Sequence, residues 1–119
     1  MPAATRLSVA GDPALALVVR IFIGSVAEQW ALSEPIRDDL RLAASELFSG
    51  AVEAGTTDLV TFELSHERDE VELRADDVPI EAEAEGLEPW AGGSALIRAL
   101  FPDADVTGFT VRIRVPLPA

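Results

Sequence analysis

The chain has 119 residues, 49% of them apolar and 25% charged, with 21 acidic against 9 basic side chains and a net charge of -12. That size and balance fit a single globular domain, 1–119, with its own core, and the negative field disfavours nucleic-acid phosphate and anionic lipid as direct partners. Lysine and cysteine are absent and His66 is the lone histidine, which excludes a Walker-type lysine, disulfides and thiolate metal sites, and leaves little from which to assemble a zinc cluster or a serine triad.

Residues 5–10 alternate weakly, with Leu7 and Val9 on one side, and predict a short edge strand. Gly11-Asp12-Pro13 then turns into a helix, with Asp12 as N-cap and Pro13 at the first helical position. The apolar spacing predicts that this helix buries Leu15, Val18, Val19, Phe22, Val26 and Trp30 and ends near Leu32. Its apolar run, residues 14–27, is interrupted by Arg20 and closed by Glu28 and Gln29, too short and too charged for a membrane span. Asp12 and Pro13 ahead of that run also argue against a secretory signal, so the cytoplasm is the expected location.

Ser33-Glu34-Pro35 restarts the chain into a second helix, residues 35–54. Its core stripe is Ile36, Leu40, Ala44, Leu47 and Ala51, with Phe48 alongside, while Asp39, Glu46 and Glu53 share another face. Those acids suit a solvated surface. Gly50 is harder to place, because glycine inside a helix costs about 1 kcal/mol relative to alanine. Close helix packing and a ligand's approach would each account for it. Gly55 is expected to end the helix.

Residues 59–64 and 70–75 alternate apolar and polar and predict a hairpin, with Val60, Phe62 and Leu64 against Val71, Leu73 and Ala75. His66 falls in the polar connection and reads as a solvated turn residue. Residues 76–90 form an acidic stretch without apolar periodicity. Gly92-Gly93-Ser94 then leads into a short helix, 95–101, stopped by Pro102. Val106 and the alternating Val111, Ile113 and Val115 supply the last strands, and Pro116 and Pro118 end the sheet. The order β-α-α-β-β-α-β(β) disfavours a doubly wound sheet. It predicts an α+β, two-layer α/β sandwich, a mostly antiparallel (mixed) sheet covered on one face by helices.

This order, the helical Ser-Glu-Leu-Phe-Ser-Gly-Ala (45–51), the strand ending in Asp76-Asp77, and Gly-Gly-Ser-Ala-Leu-Ile-Arg-Ala-Leu (92–100) together resemble the GHKL (Bergerat-fold, histidine-kinase-like) ATPases. The nearest branch is the bacterial anti-sigma-factor serine kinases, and the likeness covers roughly residues 5–117. The resemblance makes Glu46 the general base and Ala51 the motif's alanine. It puts Gly50 where the family has a magnesium-binding Asn, and Ala54 where it has a His. Magnesium requires oxygen ligands, and glycine supplies none from a side chain. The resemblance makes Asp77 the acceptor of the adenine amino group, with Asp76 one register off, but Pro79 and Glu81 replace the glycines that should follow. The two acids also read simply as a strand end. Gly93, with Gly92 or Ala91, fits the family's phosphate-contacting glycines, and equally fits a tight loop with Ser94 as N-cap. The segment between these motifs is short for the family's ATP lid.

The resemblance therefore implies a degenerate, pseudoenzyme member with no cofactor, no metal site and ATP binding weak or lost. Such a member would act by binding a sigma factor or a serine-bearing antagonist protein in a partner-switching system, as a homodimer formed through the first strand and helix. The alternative is an active, magnesium-ATP-dependent protein-serine kinase using Glu46, Asp77, Gly92 and Gly93. An unrelated partner, or another small molecule in the old cleft, is compatible with the same residues.

Overall fold

The computed structural model describes residues 3–55, 58–78, 97, 99–107 and 110–117. Strand β1 (Ala3–Ala10) leads through a 3-10 turn (Pro13–Leu15) into helix α1 (Ala16–Gln29) and helix α2 (Glu34–Ala54). Strands β2 (Leu59–His66), β3 (Glu70–Asp76), β4 (Asp105–Thr107) and β5 (Thr110–Pro116) follow. The protein is α+β: the five strands form one sheet in the order β1-β2-β3-β5-β4, and the helices cover one face of it. A mostly antiparallel, mixed sheet was expected, and all four pairings among the described strands are antiparallel. Each hairpin reverses the chain, and β1 meets β2 antiparallel because the antiparallel α1–α2 pair between them returns it to the same end.

Alternation sets which face is buried. Val60, Phe62 and Leu64 of β2, Val71, Leu73 and Ala75 of β3, and Val111 and Ile113 of β5 are all fully buried beneath the helices. The hairpin register places Phe62 opposite Ala75 and Leu64 opposite Leu73, a large residue against a small one and then two of equal size. Fully burying each larger side chain contributes about 1.5–3 kcal/mol, so this row dominates the stability of the sheet. The opposite face is polar. Arg6 pairs with Glu63 at 2.9 Å and Arg114 with Glu72 at 3.0 Å, each with its directly opposed residue. Ser8 and Thr61 share a 2.8 Å hydrogen bond in the same manner.

Asp12 caps the first turn as expected, accepting the Ala14 amide at 2.9 Å ahead of Pro13. Helix α2 buries Leu40, Ala44, Leu47, Phe48 and Ala51 as its stripe predicts, with Ile36 packed at the edge and Ala43 buried besides. Gly55 ends it at φ 63°, the left-handed conformation that glycine adopts without penalty.

Helix α1 departs from its predicted face. Its buried residues are Val19, Ile23 and Ala27, while Val18 is 42% exposed and Leu15, Phe22, Val26 and Trp30 pack at the margin. Because α1 is apolar nearly all round, spacing could not choose its phase; contact with α2 and β1 does. The helix also stops at Gln29, before Leu32. Ala31 takes φ 56°, its amide bonding Glu28 O and the Leu32 amide bonding Ala27 O, each at 3.0 Å. This is a Schellman closure built on alanine.

His66 is a second correction. It ends β2 on the inward alternation, half-buried, with its ring 5.2 Å from that of Trp30. The strand outruns the predicted turn because Glu67 and Glu70 close the connection two residues later. Of the predicted third helix, Ile97, Ala99, Leu100 and Phe101 are described; Ile97 is buried and accepts the Phe101 amide at 2.8 Å. The rest of that helix, the acidic stretch from Pro79, Gly92, Gly93 and Pro118 lie outside the described residues.

Candidate functional site

Helix α2 lies on β2 and β3 and carries the residues of the first predicted motif. Glu46 is half-buried on it, and Gly50, one turn on, is buried. Ala51 is 1% exposed and belongs to the core. The side chain of Ala54 lies outside the described residues. Glu46 has no hydrogen-bond or ion-pair partner among the described residues, so its carboxylate is not committed to a structural pair.

The two acids at the end of β3 separate. Asp76 lies on the polar face of the sheet, where its Oδ1 accepts from Arg74 Nε at 3.1 Å and from Thr110 Oγ1 at 2.9 Å. It ties β3 to β5. Asp77 was expected to keep the inward alternation of Val71, Leu73 and Ala75, and it does not. At φ 66° it leaves the strand, is exposed, and hands the buried position to Val78. A left-handed residue shifts the two-residue phase by one, and Asp accepts that conformation more readily than most side chains. No hydrogen bond or ion pair joins Asp77 to Glu46. Gly92, Gly93, Pro79 and Glu81 lie outside the described residues.

The described residues do not fit a magnesium ion. Gly50 brings no oxygen ligand from a side chain, and among the described residues no three His, Asp or Glu side chains converge closely enough to hold a metal.

A different feature was not anticipated. On the side of the helices away from the sheet, α1 and α2 leave an open groove of about 590 Å³. Its apolar rim is Leu17 (56% exposed), Ile21 (57%) and Leu42 (39%), and its cations are Arg20, Arg37 and Arg41. Small residues give it depth. At Gly24 an added Cβ would stand 3.2 Å from Arg41 Cδ, so the arginine stem lies directly across α1. Asp38 holds Arg41 in that pose through an ion pair one helical turn away. Arg20 and Arg37 have no carboxylate partner among the described residues, and Arg37 Nε is buried without an acceptor. One signal in the sequence marked this face: α1 carries more apolar residues than a single buried stripe uses.

No protein-family model matches the chain, and no match to it is found among curated proteins. No described helix is long and apolar enough to cross a membrane.

Proposed function

We propose that the chain is a regulatory protein-binding module of the anti-sigma type, a degenerate Bergerat-like domain that associates with a sigma factor or a serine-bearing antagonist in the cytoplasm. The observation that carries this reading is Gly50, buried on α2 one turn beyond Glu46. Where a nucleotide-binding relative of this kind would hold its ion with an amide side chain, this helix offers backbone whose own hydrogen bonds are already used. Without the ion, a triphosphate would face Glu46 and the chain's net charge of -12 uncompensated. Protein association needs no ion, so a partner-binding role survives the loss.

The two-layer arrangement and the element order support the scaffold. A second reading, an active protein-serine kinase, rests on Glu46 alone, whose carboxylate is unpaired among the described residues and sits on the helix that would carry a general base. Isothermal calorimetry with magnesium-ATP separates the two. The expected result is no heat up to about 1 mM nucleotide, and micromolar binding would overturn the binding-module reading. Capture of a sigma factor or an antagonist by the tagged chain, in its native host, is the matching positive test.

A further inference from the structure

We infer that the outer α1–α2 groove is a docking site for an acidic amphipathic helix of a partner protein. The inference rests on reading the chain as a protein-binding module, and goes beyond it by assigning the face and the partner's chemistry. Three observations carry it. Leu17, Ile21 and Leu42 are large apolar side chains left exposed along one groove, on a helix pair whose sheet-facing side is buried. Three of the chain's nine arginines line the same groove against one lining carboxylate, Glu28, with Asp38 paired to Arg41 beside it. Finally, Arg20 and Arg37 are unpaired among the described residues although acids outnumber arginines 21 to 9 across the chain.

An apolar stripe flanked by cations fits a ligand with an apolar stripe flanked by carboxylates. A helix lying in a groove presents that pattern at positions i, i+3, i+4 and i+7. The groove follows α1, which at 14 residues runs roughly 21 Å, or four turns of such a partner. Arg41, laid over Gly24 and tied to Asp38, is already ordered and loses little freedom on binding. A second copy of this chain fits poorly, since a two-fold contact through the groove would set arginine against arginine. Nucleic acid would leave the Leu and Ile rim unused and would meet a chain of net charge -12.

The test uses the full chain and a synthetic helix-forming peptide of about 16 residues, long enough to hold helix in water, with leucines at i, i+3, i+4 and i+7 and glutamates flanking them. One control peptide replaces glutamate by lysine, and another replaces leucine by serine. The expected outcome is a dissociation constant of about 1–100 μM for the acidic peptide and at least about tenfold weaker binding for both controls. Amide shift changes should centre on Leu17, Ile21 and Leu42. Arg20→Glu should weaken binding about tenfold, whereas Arg68→Glu, the same charge change in the β2–β3 connection, should alter it less than about twofold. Both sites are exposed, and circular dichroism verifies that both variants fold.

Equal binding of the lysine peptide, shifts centred elsewhere, or no binding up to about 1 mM would overturn the inference. So would sedimentation showing a dimer of the chain alone that dissociates on Ile21→Glu. If those results came while a sigma factor or antagonist was still captured, the groove would fall and the binding-module reading would stand. If the peptide bound in the groove but neither protein was captured, the anti-sigma reading would fall and the groove would stand.

Discussion

Ala31 holds the left-handed position that closes α1, and a Cβ there costs about 1 kcal/mol or somewhat more. Gly55 holds the equivalent position on α2, with nothing within 4 Å of where a Cβ would stand. The two sites make a matched pair. Ala31→Gly should raise the unfolding free energy by about 1 kcal/mol and Gly55→Ala should lower it by about the same amount, read from urea midpoints at unchanged slope. If Ala31→Gly destabilised the protein, the helix would have to end differently from the observed hydrogen bonds. At this scale the sequence was partly legible. Asp12 and Gly55 were readable because cap chemistry is local, whereas Ala31 was not, since alanine carries no turn signal. Glu46 and Gly50 stand on α2 as expected, but Asp77 left the strand because the chain turned one residue earlier than alternation implied.

Among the elements, the strands were legible and one helix face was not. Alternation placed Phe62, Leu64, Leu73 and Ile113 inward without ambiguity, since a strand has only two faces. Helix α1 offers a continuum of faces, and its residues are apolar around most of them. Its phase is therefore a tertiary property with a direct test. Ile23→Ala should cost about 2–5 kcal/mol, because Ile23 is fully buried, while Val18→Ala should stay within about 0.5 kcal/mol. Equal costs would mean that α1 is rotated from its observed phase. The same phase exposes Leu17 and Ile21, which is why the outer groove could not be read from the spacing of apolar residues.

Across the whole molecule, the chain carries a net charge of -12, and the structure measures 41 × 28 × 21 Å. At 0.01 M salt the screening length is roughly 30 Å, so nearly every carboxylate repels nearly every other, and at 1 M it falls to about 3 Å. The ion pairs among the described residues that salt would weaken are partly exposed, and such pairs contribute at most about 1 kcal/mol each. Repulsion should dominate. Thermal melts in sodium chloride should therefore show the melting temperature rising from low to moderate salt, and a fall would show that the cross-strand pairs outweigh the net charge. The same field should draw basic and repel acidic ligands at long range, so an acidic helix must rely on the local arginines of the groove at close range.

The order of the elements, the buried face of each strand, the stripe of α2 and the glycine one turn past Glu46 were determined by the sequence itself, because periodicity and cap chemistry act over a few residues. Pairing of β1 with β2 across two intervening helices, the phase of α1, the inward turn of His66 onto Trp30 and the gathering of Arg20, Arg37 and Arg41 beside Leu17, Ile21 and Leu42 were decided only by tertiary structure. Each of these depends on which distant surface competes best for the same apolar side chains, and no local pattern carries that information.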